Sequence, residues 1–162
     1  MYWGPREETL TECSEKIALT ISVLRKYGIT EFVDPKSTKI DFGSVEISDL
    51  LKVNKTDIGK RPIKELGWSM RLRNGPRSKI AFTLSIQCGG YSKHVGNSVV
   101  LLLPSQGELS IVDDPKRCES LFDHLVPVWE PDQAIITDGE FDWAGTTIKP
   151  LTKPLKLLAD CK

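Results

Sequence analysis

Trp68-Ser69-Met70-Arg71-Leu72-Arg73-Asn74-Gly75-Pro76 is the stretch that decides the fold. Trp68, Met70 and Leu72 alternate with Ser69, Arg71 and Arg73 at period two, the pattern of a strand with one buried face. Asn74-Gly75-Pro76 breaks the run and predicts a hairpin. On the return limb Ile80, Phe82, Leu84, Ile86 and Cys88 share one face, and Ala81, Thr83, Ser85 and Gln87 the other. A half-buried antiparallel pair follows.

Downstream, Gly89 to Asn97 predicts a flexible loop, and Ser98 to Leu103 a strand closed by Pro104. Its apolar run is continuous, which predicts a central position in the sheet. Glu108 to Val112 adds a short strand. Asp114-Pro115 places Asp at an N-cap and Pro at N1, and Cys118, Leu121, Phe122, Leu125, Val126 and Trp129 form an amphipathic stripe. Pro127 is expected to end that helix near Val126. Gln133 to Thr137 is a last strand, and the tail 144–162, with Pro150 and Pro154, is predicted to be irregular.

Upstream, Leu10, Cys13, Ile17, Ile21, Leu24 and Tyr27 recur at spacings of three and four, so a helix is predicted over about Arg6 to Tyr27. Glu7 and Glu8 suit its positive end and Gly28 its C′ position. Thr9 to Glu12 also fits a capping box, which starts the helix a turn later. Trp3 would staple the first turns. Ser48 opens a short second helix, and Asn54 to Pro62 reads as an exposed connection. Clustered strands flanked by helices give the fold class: α+β, a single domain over residues 1–162, an antiparallel sheet with the N-terminal helix and a second helix packed on it.

At 162 residues such a domain buries about 70% of its unfolded-chain surface. No apolar run reaches the roughly 18 residues of a membrane span, and no basic start precedes an apolar segment, so a signal peptide and membrane association are not expected. Cys13, Cys88, Cys118 and Cys161 lack paired metal or redox spacing and read as reduced thiols. Charge is neutral overall but segregated. Residues 55–79 hold eight bases against Asp57 and Glu65, a net of +6, and residues 108–142 hold ten acids against Lys116 and Arg117, a net of −8.

Candidate chemistry is sparse. His94 in the 89–97 loop and His124 on a helix both read most simply as surface residues, and no metal motif is present. Ser92 with His94, and Ser110 with Asp113, lack a nucleophile elbow. Asp138, Glu140 and Asp142 alternate along one side of an extended segment beside Trp143. A solvated loop is the simplest reading, docking of a basic partner the next, and acid–base catalysis the last. The basic stretch 55–79 keeps nucleic-acid binding open, and the 89–97 loop keeps a small hydrolase open.

Tyr2-Trp3-Gly4-Pro5-Arg6-Glu7, leading to Leu10 and Cys13, resembles the opening of the immunity protein 52 family of bacterial polymorphic toxin systems. The stretch Trp68 to Gly75, then Gly96-Asn97 before Val99 to Pro104, then Val128-Trp129-Glu130-Pro131-Asp132 before Ala134-Ile135-Ile136, fit in order. The match spans about residues 2–137; residues 30–65 and the tail depart from it. Trp3, Gly4, Arg6, Arg73, Asn74, Gly75 and Trp129 are its structural marks.

The resemblance implies a cytoplasmic protein encoded beside a toxin that it binds and blocks. Such toxins are often nucleases of the restriction-endonuclease fold, delivered by contact-dependent or type VI secretion. It implies no catalytic residues, no metal, no cofactor, and no direct contact with nucleic acid or membrane, and leaves homo-oligomerisation open. Charge places the expected toxin-binding residues in the acidic third: Asp113, Asp114, Glu130, Asp132, Asp138, Glu140, Asp142 and Trp143.

Overall fold

The computed structural model describes residues 1–36, 38–42, 46–53, 57, 58, 61–74, 82–103, 114–136 and 156–158. In chain order these form β1 (Tyr2–Trp3), α1 (Leu10–Lys26), α2 (Ile47–Val53), β2 (Asp57–Ile58), β3 (Arg61–Pro62), a 3-10 turn (Lys64–Leu66), β4 (Trp68–Arg73), β5 (Thr83–Cys88), β6 (Asn97–Leu102), α3 (Pro115–Trp129), β7 (Ala134–Ile136) and β8 (Lys156–Leu158).

The period-two pattern of Trp68 to Leu72 becomes β4, paired antiparallel with β5 from Trp68 opposite Cys88 to Arg73 opposite Thr83. The four-stranded sheet runs β1-β6-β5-β4, every pair antiparallel. Met70, Leu72, Leu84, Ile86, Cys88 and Val99 are buried from one face of it. They join Cys13, Ile17, Ile21 and Leu24 of α1, Leu51 of α2, and Leu121, Leu125 and Trp129 of α3 in one core. The α+β reading of an antiparallel sheet packed with helices is the observed architecture. Alternate residues of β4 to β6 lie on the other face, which no described helix covers, and there Leu102 is 53% exposed. The apolar run of β6 therefore belongs to an internal strand with one open face. A strand buried on both faces would have hidden Leu102.

Helix α1 takes the later of its two predicted starts. Thr9 accepts from the Glu12 N–H while the Glu12 carboxylate accepts from the Thr9 N–H, a complete capping box. The helix stops through a Schellman arrangement: Ile29 N–H reaches Leu24 O, Gly28 N–H reaches Arg25 O, and Gly28 sits at φ 92°. Glu7 and Glu8 thus precede the helix, and Glu8 has a different task, described below.

Trp3 lies in one core with Cys13 and Ile17 of α1, and with Tyr2 it also forms an edge strand opposite Ser98 and Asn97, bracketed on its other side by reciprocal Tyr2–Gln133 bonds. Three further expectations are corrected. Pro127 does not end α3, which continues to Trp129. Glu130 N–H closes the last turn on Val126 O, Pro127 is exposed, and the continued turn carries Trp129 into full burial. Burial of an aromatic of that size outweighs one missing hydrogen bond. Within the expected connection Asn54 to Pro62, β2 and β3 pair with each other, and within the tail β8 pairs with β7. The Gly75-Pro76 turn and the Glu108 to Val112 strand lie outside the described residues.

Candidate functional site

Three of the four stretches that carry the resemblance are far apart in sequence and meet at one junction, between β1, the start of β6 and the C-terminal end of α3. Trp3 packs on Trp129 with ring centroids 5.5 Å apart. The Arg6 guanidinium lies over the Trp3 ring at 5.8 Å and donates to two carbonyls at the helix end, Trp129 O at 3.1 Å and Glu130 O at 2.8 Å. Those carbonyls have no partner in the helix itself, and a cation at that end also suits the helix dipole. Asp132 Oδ2 accepts from Gly4 N–H at 2.8 Å. Trp129 Nε1 donates to Thr20 Oγ1 at 2.9 Å, tying α3 to α1.

Asn97 completes the junction from below. Fully buried, it accepts from Gly90 N–H at 2.8 Å and donates to Gly4 O at 2.8 Å and Gly90 O at 2.9 Å. Glu8, 6% exposed, accepts from Lys16 Nζ at 2.6 Å and from Gly89 N–H at 3.1 Å. A carboxylate this buried is stable only with such partners. The predicted flexible loop is therefore held tightly at its start: Arg6 N–H bonds Gly90 O, and Tyr91 and Ser92 N–H both bond Glu65 O.

The paired glycines of that loop have a packing role. Gly89 adopts φ 69°, and a Cβ there would come within 2.5 Å of the Trp68 ring; a Cβ on Gly67, at φ 70°, would come within 2.2 Å of Cys88 O. Beneath them Cys13 and Cys88 are buried free thiols. The neighbouring Cys13 thiol, burial and the Glu8 charge all push the Cys88 thiol up, which makes it a poor nucleophile.

Of the expected toxin-binding acids, the three among the described residues, Asp114, Glu130 and Asp132, fall at the two ends of α3. Asp114 caps the N-terminus of α3, accepting from Lys116 and Arg117 N–H, and burial followed by its charge raises the Cys118 thiol. Glu130 and Asp132 stand at the other end, about 24 Å along the helix axis. They lie together at the junction, both exposed. Asp113, Asp138, Glu140, Asp142 and Trp143 lie outside the described residues. Glu130 is the one non-glycine residue of positive φ among those described, at φ 46°, ψ 55°.

Of the other marks of the resemblance, Asn74 Oδ1 accepts from Phe82 N–H, and Arg73 exchanges backbone bonds with Val33. Both hold the far end of the hairpin, and Gly75 is outside the described residues. His94 is exposed and meets Ser92 only through its backbone N–H, 3.4 Å from Ser92 Oγ. His124 Nδ1 lies 2.6 Å from Ser120 O and 3.2 Å from Tyr27 OH, joining α3 to the end of α1. No group of three metal-ligating side chains converges among the described residues, and no described helix is long and apolar enough to cross a membrane.

Sequence reasoning missed the structural use of Glu8 and Asn97. The available signal was a glutamate directly before a capping box and an asparagine directly before an apolar strand, both in places where backbone groups lack partners. No family model matches the chain, and neither a curated protein nor a solved structure matches it.

Proposed function

We propose that this chain is an immunity protein: a cytoplasmic protein that binds a cognate toxin of a bacterial polymorphic system, a nuclease, and blocks it by occlusion. Its acidic third approaches the basic substrate channel of the nuclease, with carboxylates standing where phosphates would lie. Opposite charge speeds the encounter, and a central anchor slows escape.

The observation that carries this reading is Glu130. A residue at φ 46° after a helix favours glycine, and an acid beside helix carbonyls opposes the dipole. Glutamate there costs about 1 kcal/mol relative to glycine. Its carbonyl is clamped by Arg6 while its side chain stays exposed. A strained carboxylate with no hydrogen bond or ion pair among the described residues is best explained by a partner. Asp132 beside it has a second task, through Gly4 N–H, so its reversal would confound binding with folding.

The test is co-expression with the product of the neighbouring gene, scoring rescue from toxicity and co-purification. Glu130→Gly should unfold at higher temperature yet bind the toxin more weakly. Unchanged affinity, or no gain in stability, overturns the role given to Glu130. Reversing Asp138, Glu140 and Asp142 together should slow association at low salt about tenfold or more, and an unchanged rate removes them from the interface.

A further inference from the structure

The face of the sheet that no described helix covers has a defined chemical character. The register places Ser98, Gln87 and Ser69 in one row across β6, β5 and β4, with Val100, Ser85 and Arg71 in the next. A shallow depression of about 340 Å³ lies on these rows. Gln87 spends its amide N–H on Leu66 O. The side chains of Ser85, Ser98 and Arg71 have no hydrogen-bond or ion-pair partner among the described residues, although the two serines are half-buried. Beyond them, in the row of Thr83 and Arg73, Leu102 is exposed. Among described residues the charged side chains of these rows are arginines, so a second copy presenting the same face would be repelled.

We propose that this open face is a second protein-docking surface, whose partner is an acidic polypeptide segment. One carboxylate seats against Arg71 and Ser85, and an aliphatic side chain of the same segment rests on Val100 and Leu102. Arg71 and Val100 are two strands apart, about 10 Å, which is about the reach of three residues of polyproline II chain, whose three-residue turn brings both side chains to the same side. The recognised spacing is therefore an acid and an aliphatic residue three positions apart. The face is opposite in sign to the acidic third and does not depend on the toxin reading. Charge complementarity favours carboxylates over phosphates here, because nucleic-acid faces interleave several bases with stacking aromatics, and these two rows hold one guanidinium and no aromatic ring.

The experiment is NMR titration of the intact protein with three probes: a synthetic peptide repeating Asp and Leu three residues apart, acetate, and an oligothymidylate of about twelve nucleotides. The peptide should shift the backbone amides of Ser85, Ser98 and Val100. Arg71→Glu and Ser85→Ala should each keep the fold, and Arg71→Glu should weaken peptide binding about tenfold or more. Equal response to acetate would make the site one for small carboxylates, response to the oligonucleotide alone would make it a nucleic-acid face, and no response would leave no site. Each of these three overturns the proposal, as does a peptide response unaltered by Arg71→Glu.

Discussion

Asn97→Ala should be among the most damaging single substitutions in this protein, although it removes only a small amide. Asn97 is fully buried and makes three hydrogen bonds, with Gly90 N–H, Gly90 O and Gly4 O. Gly90 O keeps the Arg6 N–H, but Gly90 N–H is left buried and unpaired. One orphaned donor and the lost bonds amount to about 3 kcal/mol. For a chain of this size that lowers the melting temperature by about 6–12 °C. Asn97→Asp separates hydrogen bonding from shape. It replaces a donor that serves two carbonyls with an anion facing them, so its folded-state pKa is raised. A raised carboxyl binds protons in the folded state that the unfolded chain has released, so stability falls as pH rises above about 4. Asn97→Asp should therefore be the less stable of the two at pH 8, with the gap narrowing towards pH 5. Thermal or urea unfolding of both variants across that range measures it. A loss under about 0.5 kcal/mol for Asn97→Ala, a value usual for surface sites, would refute the role given to Asn97. Wild-type stability of Asn97→Asp at pH 8 would refute the orientation of its amide.

Thr9→Ala should cost about 1 kcal/mol by opening the capping box. The Thr9 backbone N–H, which alanine keeps, and then the Thr9 hydroxyl hold the Glu12 carboxyl below its ordinary value; the hydroxyl's share is present above that value and fades as pH falls through the depressed one, so the gap between variant and wild type should narrow in acid. The two stacked tryptophans should respond differently to phenylalanine. Trp129→Phe loses the bond to Thr20, whereas Trp3 Nε1 has no partner among the described residues, so Trp129→Phe should be the more destabilising by about 1–2 kcal/mol in urea unfolding, and equal losses would contradict the assigned bond. Glu8→Gln should cost about 3 kcal/mol and perturb the amide signals of Gly89 and Gly90 before those of the helices, because the Lys16 pair and the Gly89 N–H share that carboxylate.

What was legible in the sequence was whatever a local period or cap encodes. The hairpin of β4 and β5, the stripe of α1, the Asp114-Pro115 entry of α3 and the core face of each follow from spacings of two, three and four residues. What was not legible depends on partners far away in sequence. A two-residue strand has no period to read, so Tyr2-Trp3 becomes recognisable as β1 only once Ser98 and Gln133 lie on either side of it. Pro127 is a helix breaker by local rule and sits inside α3 because Trp129 is buried against α1 and Trp3. Glu8 read as a dipole-facing acid because the Gly89 N–H and Lys16 Nζ that hold it inside cannot be inferred from its neighbours.

The same distinction bears on where partner specificity can reside. Trp3, Gly4, Arg6, Asn97 and Trp129 are committed to one another through stacking and hydrogen bonds across the junction, and changing any of them would change the fold before it changed a contact with a partner. Marks of this kind identify an architecture and can be common to chains that bind different partners. Discrimination needs side chains whose replacement leaves the junction intact, and at this end of the molecule Glu130 meets that condition while Asp132, bonded to Gly4 N–H, does not. A set of chains sharing the junction, with residues other than glycine at position 130, and differing there and along 138–142 should therefore unfold alike and exchange partners when those positions alone are swapped. If partner choice instead followed swaps at Trp3 or Arg6 in chains of unchanged stability, the division between framework and recognition drawn here would be wrong.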